Sequence, residues 1–330
     1  MHNGKARAFT NIALIKYWGK KDPQLILPMN NSLSLTLDAF YTETSVSFSK
    51  EYTADSFYLD GQLQDEKSTE KVRRFLDLVR EQSQIFEYAI VQSQNFVPTA
   101  AGLASSASGL AALAGACNDA LGLNLSDKEL SRLARKGSGS ACRSIYGGFV
   151  EWEKGDSDQN SYAFPVPSNH WEDELAMIFI LINDKAKDIS SRNGMQRTVG
   201  TSTYYTDWVK NVDVDIKKAR EAIIEHDFQA LGEVTESNCL KMHATTLAAS
   251  PPFTYWTPDS LRAMNKVHDM RQAGQDCYFT MDAGPNVKVL CQKKDSQKIY
   301  NELQKEFPVE QLVMAYAGKG METLETEVAK

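Results

Sequence analysis

The sequence predicts an α+β protein of two packed domains, and three observations lead to that class. Stretches of alternating apolar residues and stretches of helical apolar spacing both occur along the chain. The 330 residues suffice for about two domains of roughly 150 residues each. Polar residues 183–203 separate two stretches of different character, which puts a boundary near 183–190 and divides the chain into 1–185 and 186–330. There is no internal repeat and no low-complexity segment.

Ile12, Leu14 and Ile15 mark a first strand that leaves Lys16 at its end. Residues 32–48 alternate: Leu33, Leu35 and Leu37 share a face, and Val46 and Phe48 extend the pattern. Asp60-Gly61 directly after Phe57-Tyr58-Leu59 is a hairpin signal, because both positions of such a turn need positive φ. Val72, Phe75, Leu76 and Val79 form one face of a helix over 66–82, and residues 87–93 form another strand. The segment 98–123 begins as a loop of small residues and becomes an Ala/Leu helix. Ser126 and Glu129 form a capping box that opens the next helix. A loop over 136–148 leads to the strand FVEWE, and Leu175–Ile182 is a buried strand. The second half is mostly helical up to residue 240. Pro251-Pro252 follow, then a helix near 259–273 and two strands, CYFTM and VKVLC, flanking DAGPN at 282–286.

The net charge is −7 and the pI about 5.4. Nucleic acid and anionic membranes both reward a basic surface, so neither is expected as a partner. The longest apolar run, Leu175–Ile182, is far short of a membrane span, and the first residues lack the apolar core of a signal peptide. The five cysteines are widely spaced with no C-x-x-C pair, so reduced thiols in the cytosol are expected rather than disulfides or zinc.

Five segments are candidates for chemistry; taken alone, 137–144 also reads as a solvent-facing turn, the lysines at 11–22 as surface residues beside core aromatics, and 190–195 as an ordinary loop. At 98–110 a loop of small residues runs into a helix N-terminus, where free N–H groups, the positive end of the dipole and Ser105, Ser106 and Ser108 suit a phosphate chain. Tight packing of small residues against a sheet would give the same composition. At 137–144, Ser138, Ser140 and Arg143 offer three donors, with Arg143 suited to a bidentate grip on a carboxylate or phosphate. At 11–22, Lys16, Lys20 and Lys21 surround Tyr17 and Trp18. Ser191 and Arg192 form a further donor pair. Asp282, at a turn between two strands, is either a general base or an Asx-turn residue. His243 is read as a packing residue. The inventory is two sets of anion donors and one carboxylate, without a metal cluster. It suits phosphoryl transfer from ATP to an acidic, phosphorylated molecule.

NIALIKYWGK, NFVPTAAGLASSASG, RKGSGSACRSIYGGFVEW, SSRNGMQ, PPFTY and FTMDAGPNVK stand in this order across residues 11–290. In this the chain resembles the mevalonate diphosphate decarboxylase family, of bacterial type, within the GHMP kinase superfamily. GLASS in place of the kinases' GLGSS, and Asp282 in the last motif, match the decarboxylase branch. The resemblance implies an N-terminal domain like the second domain of ribosomal protein S5 and a ferredoxin-like C-terminal domain. It implies a cytoplasmic homodimer that uses ATP and Mg²⁺ to convert mevalonate 5-diphosphate to isopentenyl diphosphate, ADP, phosphate and CO₂. It also implies roles: Asp282, Lys16 and Arg143 catalytic; Tyr17, Trp18, Gly19, Lys20, Ser138, Ser140, Arg143, Ser191, Arg192 and Met195 around the substrate. Ser93, Lys71, Ala101, Gly102, Leu103, Ala104, Ser105, Ser106 and Ser108 would hold the nucleotide, with Ser106 also on the metal.

Overall fold

A computed structural model describes residues 1–96, 106–182 and 189–325. The chain opens with β1 (His2–Ile15), β2 (Lys20–Asp22), β3 (Leu27–Pro28) and β4 (Ser32–Ser49). Then come β5 (Ser56–Leu59), β6 (Gln62–Leu63), α1 (Glu66–Ser83), β7 (Tyr88–Phe96), α2 (Ser106–Ala120) and α3 (Asp127–Gly137). A 3₁₀ helix (Gly139–Ile145) leads to β8 (Phe149–Trp152) and β9 (Ala163–Pro165). The remainder is β10 (Leu175–Ile180), α4 (Ser191–Thr201), α5 (Tyr205–Glu225), α6 (Phe228–Leu247), α7 (Pro258–Gln272), β11 (Cys277–Met281), β12 (Val287–Gln292), α8 (Ser296–Leu303), β13 (Leu312–Tyr316) and β14 (Glu322–Leu324).

Two sheets organise these elements. The first has the order β14-β1-β4-β7-β5-β6, with β8 paired to β4 and β9 to β8. Helices α1, α2 and α3 cover one of its faces through Val72, Leu76, Leu113 and Leu133. The second sheet is antiparallel, in the order β11-β12-β10-β13. One of its faces packs Ile178 and Ile180 on α7 and α8. The other packs Leu175, Met177 and Phe179 on α5, α6 and the free face of the first sheet.

The first six residues of the long strand β4, Ser32–Leu37, are buried on both faces. Leu33, Leu35 and Leu37 enter the core shared by the two domains, where Phe40 meets Phe179 edge-on with ring centroids 4.7 Å apart. The intervening Ser32, Ser34 and Thr36 are also buried, against the helical side. Val46 and Phe48, of the opposite parity to the leucines, pack under the helices. The apolar residues therefore move from one face of the strand to the other along its length, and β1 and β4 slip register between Phe9 and Asn11.

Several expectations hold to within a residue or two. The Asp60-Gly61 turn has φ of 51° and 79° between paired β5 and β6. The capping box of Ser126 and Glu129 is formed in both directions. Others change. Residues 139–145 are 3₁₀-helical rather than loop, and α4 occupies much of the polar stretch 183–203. The strand at 175–180, which a division at 185 leaves in the first domain, is hydrogen-bonded between β12 and β13 in the second sheet. Polarity marked the loop after this strand, whereas strand pairing places the change of sheet before it. The chain then returns. Leu37 bridges Ala317, Gly318 N–H donates to Thr36 at 2.8 Å, and β14 pairs with β1.

Gly4 of β1 faces the α2 backbone, and a Cβ there would fall on the Ala116 carbonyl and the Ala120 nitrogen. Backbone cannot give way as a flexible side chain does. Gly4→Ala is expected to lower stability by about 1–3 kcal/mol, read as a drop in thermal midpoint. An unchanged midpoint would show that β1 and α2 do not pack this closely.

Candidate active site

Strand β1 ends at Ile15, and the next peptide leaves the ladder inside the protein. Lys16 is 2% exposed. Asn238 of α6 accepts its backbone N–H at 2.8 Å, and Asn30 donates to its carbonyl at 2.7 Å. The side chain runs back over the end of its own strand. Its Nζ donates to Ala13 O at 2.7 Å and to Asp282 Oδ1 at 2.8 Å.

Asp282 follows β11. Its loop is closed by Gly284 N–H on the Asp282 carbonyl; Asn286 ties it to Ile182, just past β10, and Ser260 ties it to α7. The second carboxylate oxygen takes 3.0 Å from Nζ of Lys288, a buried residue of β12. The Asp282 side chain is 40% exposed, toward the cleft. Burial pushes the carboxyl up, but the ammoniums of Lys16 and Lys288 outweigh it and hold Asp282 well below the usual carboxylate range.

Arg143 comes from the 3₁₀ helix and is also 2% exposed. Nε donates to Asn11 at 3.2 Å and Ser34 at 3.0 Å, and Nη1 to Ser32. All three acceptors are neutral, and no carboxylate among the described residues is hydrogen-bonded to it. Nη2 has no partner among the described residues.

These groups line a cleft of about 590 Å³ between the domains. Six basic side chains line it (Lys16, Lys20, Lys71, Arg143, Arg192 and Lys288), against one acidic side chain, Asp282, among the described residues. Burial pushes the Lys20 and Lys71 ammoniums below their usual range. The charge of Arg192 adds to this at both, and that of Lys71 at Lys20. An unneutralised group of cations on an acidic chain is a place for a polyanion. The Tyr17 hydroxyl, buried and without a partner among the described residues, borders the same space. Burial raises its pKa, so it stays a neutral donor.

The cleft thus brings together Lys16, Tyr17, Trp18, Lys20, Lys71, Ser106, Ser138, Ser140, Arg143, Ser191, Arg192, Met195 and Asp282. Ser191 and Arg192 open α4, whose N-cap is Ser190. Three expected contacts do not line it. Gly19 has φ of 108° with Tyr205 packed against its Cα, which makes it a turn residue that lets the chain pass α5. Ser93 pairs with Thr44, and Ser108 with Thr42, between the sheet and α2. Ala101, Gly102, Leu103, Ala104 and Ser105 lie outside the described residues.

Lys288, Asn11, Ser32 and Ser34 were not singled out from the sequence. Lys288 carried one signal, a lysine inside the otherwise apolar run VKVLC six residues after Asp282. His243 is fully buried, and burial lowers its pKa to about 3, so it is a neutral ring packed beside Tyr255 and Trp256.

The residues fit a nucleotide and its metal. Ser106 and Ala107, in the first turn of α2, line the cleft with Lys71, giving hydroxyl, amide and ammonium donors for phosphate. No group of three His, Cys, Asp or Glu side chains is gathered among the described residues. This suits a Mg²⁺ carried mainly by phosphate oxygens and water.

A two-domain α+β chain of GHMP type, with a polycationic cleft and, among the described residues, one carboxylate between its domains, defines an enzyme class that handles small phosphorylated molecules. Comparison narrows the class. Residues 8–163 match the diphosphomevalonate decarboxylase-like N-terminal domain, and residues 176–329 match the mevalonate 5-diphosphate decarboxylase C-terminal domain. The chain belongs to the mevalonate diphosphate decarboxylase family. A solved structure of MDDEF in complex with MVAPP, AMPPCP and magnesium is 63% identical with a TM-score of 0.96, covering 98% of this chain and 99% of that one. Mevalonate diphosphate decarboxylase from Staphylococcus aureus is 56% identical, also with a TM-score of 0.96 and 98% of both chains covered. Diphosphomevalonate decarboxylase mvd1 of Aspergillus fumigatus is 39% identical over 321 residues, 91% of this chain and 79% of the relative.

Because the Asp282 carboxyl lies below its ordinary value, Asp282 stays ionised throughout the usual carboxylate range, and with it the ion pairs to Lys16 and Lys288. They are lost only as pH falls through the folded value. Lys288→Met removes one ammonium and lets the carboxyl rise. The acidic limb of the kcat profile should move to higher pH in this variant, and an unmoved limb would show that Lys288 does not tune Asp282.

Proposed function

We propose that this cleft carries out the ATP-dependent decarboxylation of mevalonate 5-diphosphate to isopentenyl diphosphate. Family membership supplies the reaction, and the single carboxylate among six cations, counted among the described residues, is the observation that carries the assignment of roles.

The 3-hydroxyl oxygen attacks the γ-phosphorus of ATP, and ADP leaves. The C3–O bond then breaks with its electron pair, releasing phosphate. The bond from C2 to the carboxylate breaks last. Its electrons form the new C=C bond, and CO₂ departs.

A tertiary hydroxyl is a poor leaving group, so phosphorylation has to come first. Asp282, ionised by its two lysines, orients the hydroxyl and takes its proton as the O–P bond forms. When phosphate leaves, the same charge faces the positive carbon. Lys16 neutralises charge on the transferring group. Arg143, hydrogen-bonded to neutral acceptors, grips the substrate carboxylate. Tyr17, Lys20, Ser140, Ser191 and Arg192 hold the 5-diphosphate. Ser106 and Lys71 hold the ATP phosphates, and Ser106 contributes to the Mg²⁺ site. When bound, the metal spreads the negative charge of the phosphates.

No helix among the described residues is long and apolar enough to cross a membrane. All five cysteines are buried and unpaired, which supports a cytoplasmic location. A homodimer is proposed on the family resemblance alone, and sedimentation velocity tests it.

Carboxyl-labelled mevalonate 5-diphosphate with ATP and Mg²⁺ should release labelled CO₂ in step with ADP and phosphate. A stable phosphorylated product without CO₂ would make the chain a kinase instead. Asp282→Asn should lower kcat on the order of 10³-fold with substrate still bound, and most of kcat surviving would remove Asp282 from the chemistry. Arg192→Ala should raise KM for the diphosphate on the order of tenfold and leave kcat closer to wild type. An unchanged KM would take Arg192 out of the site.

A further inference from the structure

Neighbouring residues of α6 grip both halves of the Lys16–Asp282 pair from behind. Asn238 Oδ1 accepts Lys16 N–H at 2.8 Å. Cys239 Sγ accepts the Met281 N–H at 3.1 Å and donates to the Met281 carbonyl at 3.5 Å, one residue before Asp282. Both side chains are fully buried, and neither lines the cleft. The Asn238 amide is itself oriented. Its Nδ2 donates to Asp215 Oδ2 at 2.8 Å, so its oxygen must face Lys16. Asp215, 3% exposed on α5, is in turn paired with Lys241, which meets both of its oxygens at 2.9 and 3.0 Å.

We infer that Asn238 is a positioning residue, oriented by Asp215, which together with Cys239 sets the separation of Lys16 and Asp282. It acts through Lys16 and touches neither substrate. A lysine backbone held by strand β1 on one side and a carboxylate carried by the second domain on the other have no covalent reason to meet. One helical step of α6 is the template common to both. The inference rests on the reaction proposed above, since it assigns Asn238 to that same pair.

The test is a carboxylate–amide exchange. Asn238→Asp keeps the acceptor for Lys16 but turns a carboxylate on Asp215. It should lower kcat for CO₂ release on the order of 10²-fold, with KM for both substrates near wild type. Combining it with Asp215→Asn restores an amide facing a carboxylate and both hydrogen bonds, and should recover most of the loss. A folded Asn238→Asp enzyme at wild-type kcat, a loss carried by KM alone, or a double variant no faster than the single overturns the inference. Should Asn238→Asp not fold, Cys239→Ala reads the same geometry from the Asp282 side. There, lower kcat at unchanged KM supports the template, and wild-type kcat overturns it. A wild-type chain that releases no CO₂ defeats the functional reading instead.

Discussion

The salt bridge from Lys16 to Asp282 is the contact on which the rest of the molecule depends. It joins the end of the first strand to a loop of the second sheet, 266 residues later. Buried charges are costly unless matched, so the surroundings are built to match these. Lys288 supplies the second cation, Asn30 and Asn238 satisfy the Lys16 peptide, and Cys239 of α6 and Ile182 fix the loop and its approach. The shared apolar core of β4, β10, α5 and α6 keeps the two sides together. Further ion pairs cross between the domains, from Arg220 to Glu151 and from Lys154 to Asp213.

The cations of the cleft are held in two different ways. Lys16 and Lys288 share the charge of Asp282. Arg143 is buried among serine and asparagine oxygens that align it without neutralising it. The first arrangement keeps a carboxylate ionised in a low-dielectric setting. The second leaves a positive charge available to a ligand. An overall acidic protein can therefore present a strongly positive interior, and composition alone does not reveal it.

Much of the site was legible because its residues stand out locally. Asp282 lies in a turn between two apolar strands, Arg143 among small residues, and Lys16 at the end of an apolar run. Their supports were not legible. Ser32 and Ser34 alternate with leucines and read as the polar face of a half-buried strand, yet this stretch of β4 is enclosed on both sides. Lys288 and Asn238 matter only because hairpin register and helix packing bring them to the pair. The fold followed the same division. Helix caps and the tight hairpin are written in a few adjacent residues, whereas the membership of β10 depends on partners more than a hundred residues away.

The return of the chain at Gly318 and β14 has a mechanical consequence. Two covalent connections pass between the sheets, one into β10 and one out of β13, and the second is stitched to β4 by Gly318 and, through the Met321 N–H, to Ile145 at the end of the Arg143 helix. A body held by a single tether can swing open; one pinned at two points resists rotation. Rocking one sheet relative to the other would break the bonds from Gly318 N–H to Thr36 and from Met321 N–H to Ile145.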